Sequence, residues 1–385
     1  MQNNTMKAMV LIGHGGIDKL IYKDVEIPTL KKGEVLIKVT ATAKNNTDRK
    51  AREGLYPVDD NNKEEVTSFN MTGDNTFTFP RIQGADIVGV VEKVADDENK
   101  SLIGQRGLVD FNIYLSQNPD LNLIPDYYGH GKDGGYAEYV AIPSENFYAM
   151  PNKDIDDAQL ASLGMCSYQT GFRMLNASRV KKGDKVLISG ASGGVGTALI
   201  QMCKVLGAIP YALSSKDKEE ELLALGAQKV IDRGELSTLK QRILEATEGE
   251  NIDAVMDLVG GEYTNIFIDT MIVDMKKRDD YPRLSIAGAS SFNITEILWS
   301  KIYLYQVEIH GVSHGTKNEA KQLMQWIKEG KLKPILHATF KLSNLHEAEK
   351  YFVSRGKGYL GKIVIVPDSQ WKKHGEKYSL KVENE

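Results

Sequence analysis

Residues 185–207 read KVLISGASGGVGTALIQMCKVLG, and this stretch limits the fold of the chain more than any other. Val186, Leu187 and Ile188 form a short apolar run, which predicts a buried parallel strand. The glycine-dense segment 190–196 follows at once and predicts a tight turn. Beyond it, Val195, Ala198, Leu199, Met202, Val205 and Leu206 recur at steps of three and four. That is one face of an amphipathic helix, and Gly207 stands where a helix C-terminus favours a left-handed residue.

Strand, glycine turn and helix in this order suit a dinucleotide, for a steric reason. A diphosphate reaches the unpaired N–H groups of a helix N-terminus only where no Cβ intervenes, and Gly193, Gly194 and Gly196 give that clearance. The motif is A-x-G-x-x-G, with Ala191 at its first position, and alone it is equally a ligand-free turn. Its surroundings favour the dinucleotide. Residues 209–213 predict a second strand, 216–225 a helix closed by Gly226, and 229–231 a third strand. Further strands are predicted over 253–259, 283–288 and 307–312. Such alternation predicts an α/β fold with a doubly wound sheet of six parallel strands.

At 385 residues the chain exceeds one core's usual size, which predicts two domains. The first 150 residues are mostly β: strands are predicted over 6–11, 35–39, 85–94 and 134–142, with Gly89 at a bulge or close approach. Segments 59–79 and 111–133 lack periodicity and read as surface loops, either functional or solvated decoration. After a helix over 320–329, strands near 338–341 and 361–366 flank a short helix over 345–352, which returns the chain to its β-rich part. The charged tail 368–385 is expected to fray.

The net charge of −4 leaves no basic footprint for nucleic acid. No apolar run spans a bilayer and no leader follows Met1, so a cytoplasmic location with no membrane contact is expected. Cys166 and Cys203 are the only cysteines, too few for a disulfide framework or a four-cysteine metal site.

Motifs spread over residues 6–366 resemble the medium-chain dehydrogenase/reductase superfamily, and within it the zinc-free quinone oxidoreductase and enoyl reductase branch. They include GEVL at 33–36, Asn45 with Asp48, GLYP at 54–57, GADIVG at 84–89, GGYAEY at 134–139, VKKGD at 180–184, the glycine turn, DAVMD at 253–257 and GKIV at 361–364. The resemblance implies a GroES-like β-barrel catalytic domain (1–153 and 313–385) and a Rossmann domain (154–312), with the active site between them. It also implies a homodimer formed through the last strand of the nucleotide sheet, near 307–312.

Alcohol dehydrogenases of that superfamily hold zinc with a Cys, a His-Glu pair and a further Cys or Asp. The corresponding positions here are Asn45, Ala85-Asp86 and Cys166, and one soft ligand does not make a tetrahedral site, so no metal is expected. His14, His130, His310, His314, His337 and His346 are scattered without ligand spacing. His130, in YYGHGKDGG, is the one candidate proton donor among them. Without a Lewis acid, hydride addition to a quinone or an α,β-unsaturated carbonyl asks less of the protein than ketone reduction. Asn45 and Tyr56 match the substrate-site polar residues of the zinc-free branch and are the candidate catalytic donors, or else Asn45 fixes its loop and Tyr56 packs. Asp48 is expected to order backbone, and Cys166, near the cleft, is either redox-sensitive or a buried, inert thiol, the latter being expected.

An NAD-preferring fold places a carboxylate after the second strand; here Ser214-Ser215-Lys216-Asp217-Lys218 follows, which suits the 2′-phosphate of NADPH. Ser214, Ser215, Lys218 and Arg233 are the candidate contacts. By resemblance, Thr170 with Ser192, Gly193, Gly194 and Val195 meets phosphates, Val259, Gly260 and Ala287 line the nicotinamide, and Lys362 approaches from the last strand. The expected function is NADPH-dependent reduction of a quinone or activated alkene. The alternatives are an aldehyde or ketone reductase and a low-turnover NADPH-binding module.

Overall fold

The computed structural model describes residues 4–55, 77–123, 126–151, 154–288, 295–354 and 358–380. Six parallel strands form one sheet in the order Lys229–Asp232, Ile209–Ser214, Lys185–Ile188, Ala254–Asp257, Arg283–Ile286, Glu308–Gly311. Strand order therefore reverses beside Lys185–Ile188, where a doubly wound sheet opens a crevice. Val186, Leu187 and Ile188 are wholly buried because both faces of the sheet are covered. Val186 and Ile188 pack with Leu199, Met202 and Phe172 of helices Gly194–Leu206 and Met165–Ala177. Leu187 faces the other way, onto Leu239, Ile243 and Phe267 of helices Leu236–Ala246 and Glu262–Met271. An unbroken apolar triplet is what a strand buried on both sides requires.

The β-rich part centres on Glu34–Ala43, which pairs with Asp86–Val94, Tyr139–Pro143 and the C-terminal strand Lys362–Val366. A Cβ on Gly89 would stand 2.3 Å from the Lys38 carbonyl oxygen, so the close approach expected there is present, beside a register shift between Val39 and Ala41. The predicted strand 134–142 is regular only from Tyr139 on, as Tyr139–Pro143. Gly134 instead donates to the Ile82 carbonyl, Tyr136 donates to Gln83 and accepts from Met9, and Glu138 donates to Lys7 and accepts from Val39. Helix Asp157–Ser162 packs on the β-rich part, whereas helix Lys317–Lys328 packs on helix Met165–Ala177.

Helix Asn46–Glu53 interrupts the β-rich part and was not foreseen. Its signature is short: a capping box between Asn45 and Asp48, and Gly54 at φ +70° closing it. The predicted helix 216–225 divides into a 3-10 turn Lys216–Lys218 and helix Glu219–Leu225, whose first turn carries three glutamates. The expected fraying of the tail does not hold for residues 368–380. Short helical turns dock there: Trp371 joins the core, Thr339 donates to the Gly375 carbonyl at 2.6 Å, and Lys377 and Tyr378 both hold Asp156. No helix among the described residues is long and apolar enough to cross a membrane.

Candidate active site

A cleft of about 720 Å³ opens between the carboxyl ends of the parallel strands and the β-rich part. The glycine turn forms one wall. Gly193 caps helix Gly194–Leu206 without a side-chain bond, so the first N–H groups of the helix face the cleft. A Cβ on Gly196 would lie 2.5 Å from Ala191 Cα and from the Gly190 carbonyl oxygen, which explains why the turn closes only with glycine. A Cβ on Gly193 would meet nothing nearer than the Gly190 carbonyl oxygen at 3.5 Å. A helix N-terminus with unpaired N–H groups suits an anion.

Farther along, Ser214, Ser215 and Arg233 line the end of the cleft beyond the second strand. Arg233 is exposed and makes no ion pair among the described residues, and its backbone N–H donates to the Ser214 carbonyl at 2.8 Å. At the opposite end, Val259, Ala287, Val312, Ser313 and His314 come from the loops after the fourth, fifth and sixth strands. Buried Asp257 shapes the first of these: Oδ1 accepts from the N–H groups of Val259 and Gly260 at 2.9 and 3.0 Å, and Oδ2 from Thr264 at 2.9 Å. Sequence reading gave Asp257 no role, although a carboxylate ending an apolar strand was visible.

The floor holds a buried cation. Lys362 is 4% exposed, and its Nζ donates to Asn45 Oδ1, to Ser167 Oγ at 3.0 Å and to Asp86 Oδ2 at 3.1 Å. Asp86 is wholly buried; it also accepts from Asn45 Nδ2 at 2.9 Å and from the Cys166 N–H at 2.8 Å. Asn45, Asp86 and Cys166 thus converge, as the motif positions imply, but around an ammonium group. The strand bearing Lys362 reaches the glycine turn directly, since the Gly361 N–H donates to the Ser192 carbonyl at 2.8 Å. A Cβ on Gly194 would strike Lys362 Cδ at 2.6 Å. Among the described residues no group of three His, Cys, Asp or Glu is arranged to hold a metal ion. Desolvation, with Asp86 adding to it, pushes the Cys166 thiol well up, but Cys166 is only half-buried and lines the cleft, which corrects the expectation of a buried thiol.

Of the expected site residues, Asn45, Thr170, Ser192, Gly193, Gly194, Val195, Ser214, Ser215, Arg233, Val259, Ala287 and Lys362 line this one cleft. Gly260 and Lys218 do not: Gly260 is held by Asp257, and Lys218 is buried with its ammonium 2.9 Å from Asp217. Tyr56 lies outside the described residues, as does most of the loop 59–79. Both polar atoms of the Asn45 amide are engaged, which makes it a brace for Lys362 and Asp86. Asp48 orders backbone as expected, accepting from the Asn45 N–H at 2.9 Å and from the Tyr136 hydroxyl at 3.0 Å. His130 is buried behind the wall, bonded to Asp126 at 2.8 Å and stacked between Phe77 and Tyr127. Sequence reading missed Thr47 and Tyr127, whose hydroxyls lie 2.8 Å apart on the cleft wall, together with Lys50 and His314.

Residues 31–152 match the alcohol dehydrogenase GroES-like domain family, and residues 194–329 match the zinc-binding dehydrogenase family. The fold superposes with a TM-score of 0.88 on a crystal structure described as a candidate alcohol dehydrogenase from Sinorhizobium meliloti 1021, at 41% identity over 95% of this chain and 97% of that one. The chain belongs to the medium-chain dehydrogenase/reductase superfamily. Within that superfamily it is also similar to a quinone oxidoreductase of Homo sapiens, 26% identical over 94% of this chain and 98% of the relative. An acryloyl-coenzyme A reductase of Sulfurisphaera tokodaii is likewise 26% identical, over 94% and 100%. A medium-chain dehydrogenase/reductase is an oxidoreductase of nicotinamide cofactors, and the parallel sheet and GroES-like part described above are its two building blocks.

Proposed function

We propose that this chain is an NADPH-dependent reductase that adds hydride to a quinone or an activated alkene without zinc. The observation that carries the reading is the Lys362 ammonium seated between Asn45, Asp86 and Ser167. An amide, a carboxylate already bonded on both oxygens, an alanine and a thiol with raised pKa make a poor donor set for zinc, and a fixed positive charge among them opposes a dication. Stabilising a developing oxyanion then falls to neutral hydrogen-bond donors of the protein, which suits an acceptor already poor in electrons.

The helix N-terminus at Gly193 and Gly194 holds the diphosphate. Ser214, Ser215 and Arg233 hold a 2′-phosphate, with serine hydroxyls in place of a carboxylate at positions 214 and 215 and Asp217 bonded to Ser215 beside them. Val259 and Ala287 flank the nicotinamide, which supplies the hydride when bound. Asn45 holds Lys362 in position. The relatives named above include reductases of quinones and of an enoyl thioester, in keeping with this substrate class. A second reading, reduction of aldehydes or ketones, is favoured by the Sinorhizobium meliloti relative. A soluble homodimer in the cytoplasm, with domains divided near residues 153 and 313, completes the proposal.

The test is oxidation of NADPH and NADH by the purified chain against phenanthrenequinone, cyclohexenone and an aliphatic aldehyde. Turnover of the first two with NADPH is expected. Preference for NADH, or turnover of the aldehyde alone, would refute it.

A further inference from the structure

His314 follows the sixth strand at the cleft end opposite Arg233, where the substrate meets the nicotinamide if the proposed function is right. Its ring lines the cleft and lies edge-on to Tyr127 at 5.2 Å and against Phe111 at 4.8 Å. Nδ1 is buried with no hydrogen-bond partner, and Nε2, which bonds to no described residue either, is not sealed off in the same way. The segment around it is pinned from two sides. Asn122 donates to the Gly315 carbonyl at 3.0 Å and Gln169 to the Thr316 carbonyl at 3.0 Å. A Cβ on Gly315 would come within 2.4 Å of the Gln169 side chain, so the turn is packed as well as bonded.

A ring held this firmly, with a nitrogen left without protein partners beside a cleft, is arranged for something that is not protein. The tautomer follows from the burial. An unpaired buried N–H is rarer in proteins than an unpaired acceptor, which puts the proton on Nε2, the nitrogen left to the cleft. Burial, with His130 adding to it and Asp126 opposing, pushes the imidazole down to about 4, so it stays neutral.

We propose that His314 is a substrate-binding residue whose Nε2–H donates a hydrogen bond to the carbonyl oxygen of a conjugated acceptor held in the cleft. The inference rests on the functional reading above. In the step it would serve, the C4–H bond of a bound dihydronicotinamide would break, its electron pair forming a C–H bond at the electron-poor carbon of the acceptor and leaving the oxidised nicotinamide, while the displaced π pair would move onto the carbonyl oxygen. The bond from His314 stabilises that oxygen until water protonates it.

The experiment compares His314→Phe, which keeps the ring packing and removes both nitrogens, with His314→Gln, which keeps a donor. For His314→Phe, kcat/KM for phenanthrenequinone and cyclohexenone is expected to fall by at least about tenfold. NADPH affinity, read by fluorescence titration, stays within about twofold, and His314→Gln recovers part of the loss. Unchanged kcat/KM in His314→Phe overturns the inference, and so does a loss confined to NADPH affinity, which would assign the ring to the cofactor. A wild-type chain that binds NADPH and reduces neither compound would sink the functional reading instead. The inference is then decided by titrating 15N-histidine-labelled protein with phenanthrenequinone in the presence of NADP+. Movement of the His314 ring resonances supports it, and static resonances overturn it.

Discussion

Lys362 shows how far a single side chain can be read. Its place in GKIV implied an approach to the cofactor, and it does line the cleft. Its partners could not be foreseen, because they come from positions 45, 86 and 167, which are remote in the chain and meet only when the last strand pairs with Glu34–Ala43. A buried ion pair is expensive to form and more expensive to halve, since removing one partner strands the other charge in low dielectric. Lys362→Met is therefore expected to destabilise the fold by about 3–5 kcal/mol. Adding Asp86→Asn should restore much of the loss, as urea unfolding of the two variants would measure. Equal stability of Lys362→Met and wild type would mean that Asp86 is not relying on the ammonium.

At the scale of elements, the loop 111–133 has become legible. It opens with the short pair Asn112–Ile113 and Asp126–Tyr127 and docks onto the segment that carries His314. Asp110 ties it down: its carboxylate accepts from Tyr114 at 2.7 Å and from the Asn112 N–H at 3.2 Å, and Gln169 bonds Tyr114 and Asn112 in turn. Burial pushes the Asp110 carboxyl up to about 6, against those hydrogen bonds and the charge of Lys317. A carboxyl raised on folding costs nothing below about 4, where both states are protonated, and costs progressively more as pH rises to about 6. Asp110→Asn, which mimics the protonated acid, should thus gain on the wild type between pH 4 and pH 7, by up to about 3 kcal/mol. Parallel unfolding curves at the two pH values would check the sign, and a gap that shrank with rising pH would contradict it. The surface-loop expectation for this segment came from its lack of periodicity. Pattern alone could not distinguish decoration from a wall of the cleft, because Asp110, Tyr114 and Gln169 belong to no common repeat.

For the whole molecule, the parallel sheet ends in Glu308–Gly311, an edge strand with Ile309 exposed. Beside it, helix Trp299–Leu304 presents Trp299, Tyr303 and Leu304, each about two-thirds exposed. Unpaired strand N–H and C=O groups next to large apolar side chains invite a second copy. The homodimer proposed above is expected to use this edge. Sedimentation of Ile309→Pro combined with Tyr303→Lys should give a monomer where the wild type gives a dimer, and a dimer that survived both changes would place the interface elsewhere.

Sequence alone determined the doubly wound sheet, the glycine turn that follows its strand Lys185–Ile188 and the return of the C-terminal strand to the β-rich part. Each of these is written in local period, in glycine placement or in short contiguous motifs. Only the tertiary structure decided that Asn45 braces a cation, that Lys218 turns inward to Asp217, that His130 stands behind the wall and that His314 stands in it. Those outcomes depend on which side chains are enclosed together, and burial is a property of the assembled fold. Hydrogen-bond partners hundreds of positions apart leave no periodic trace in a chain.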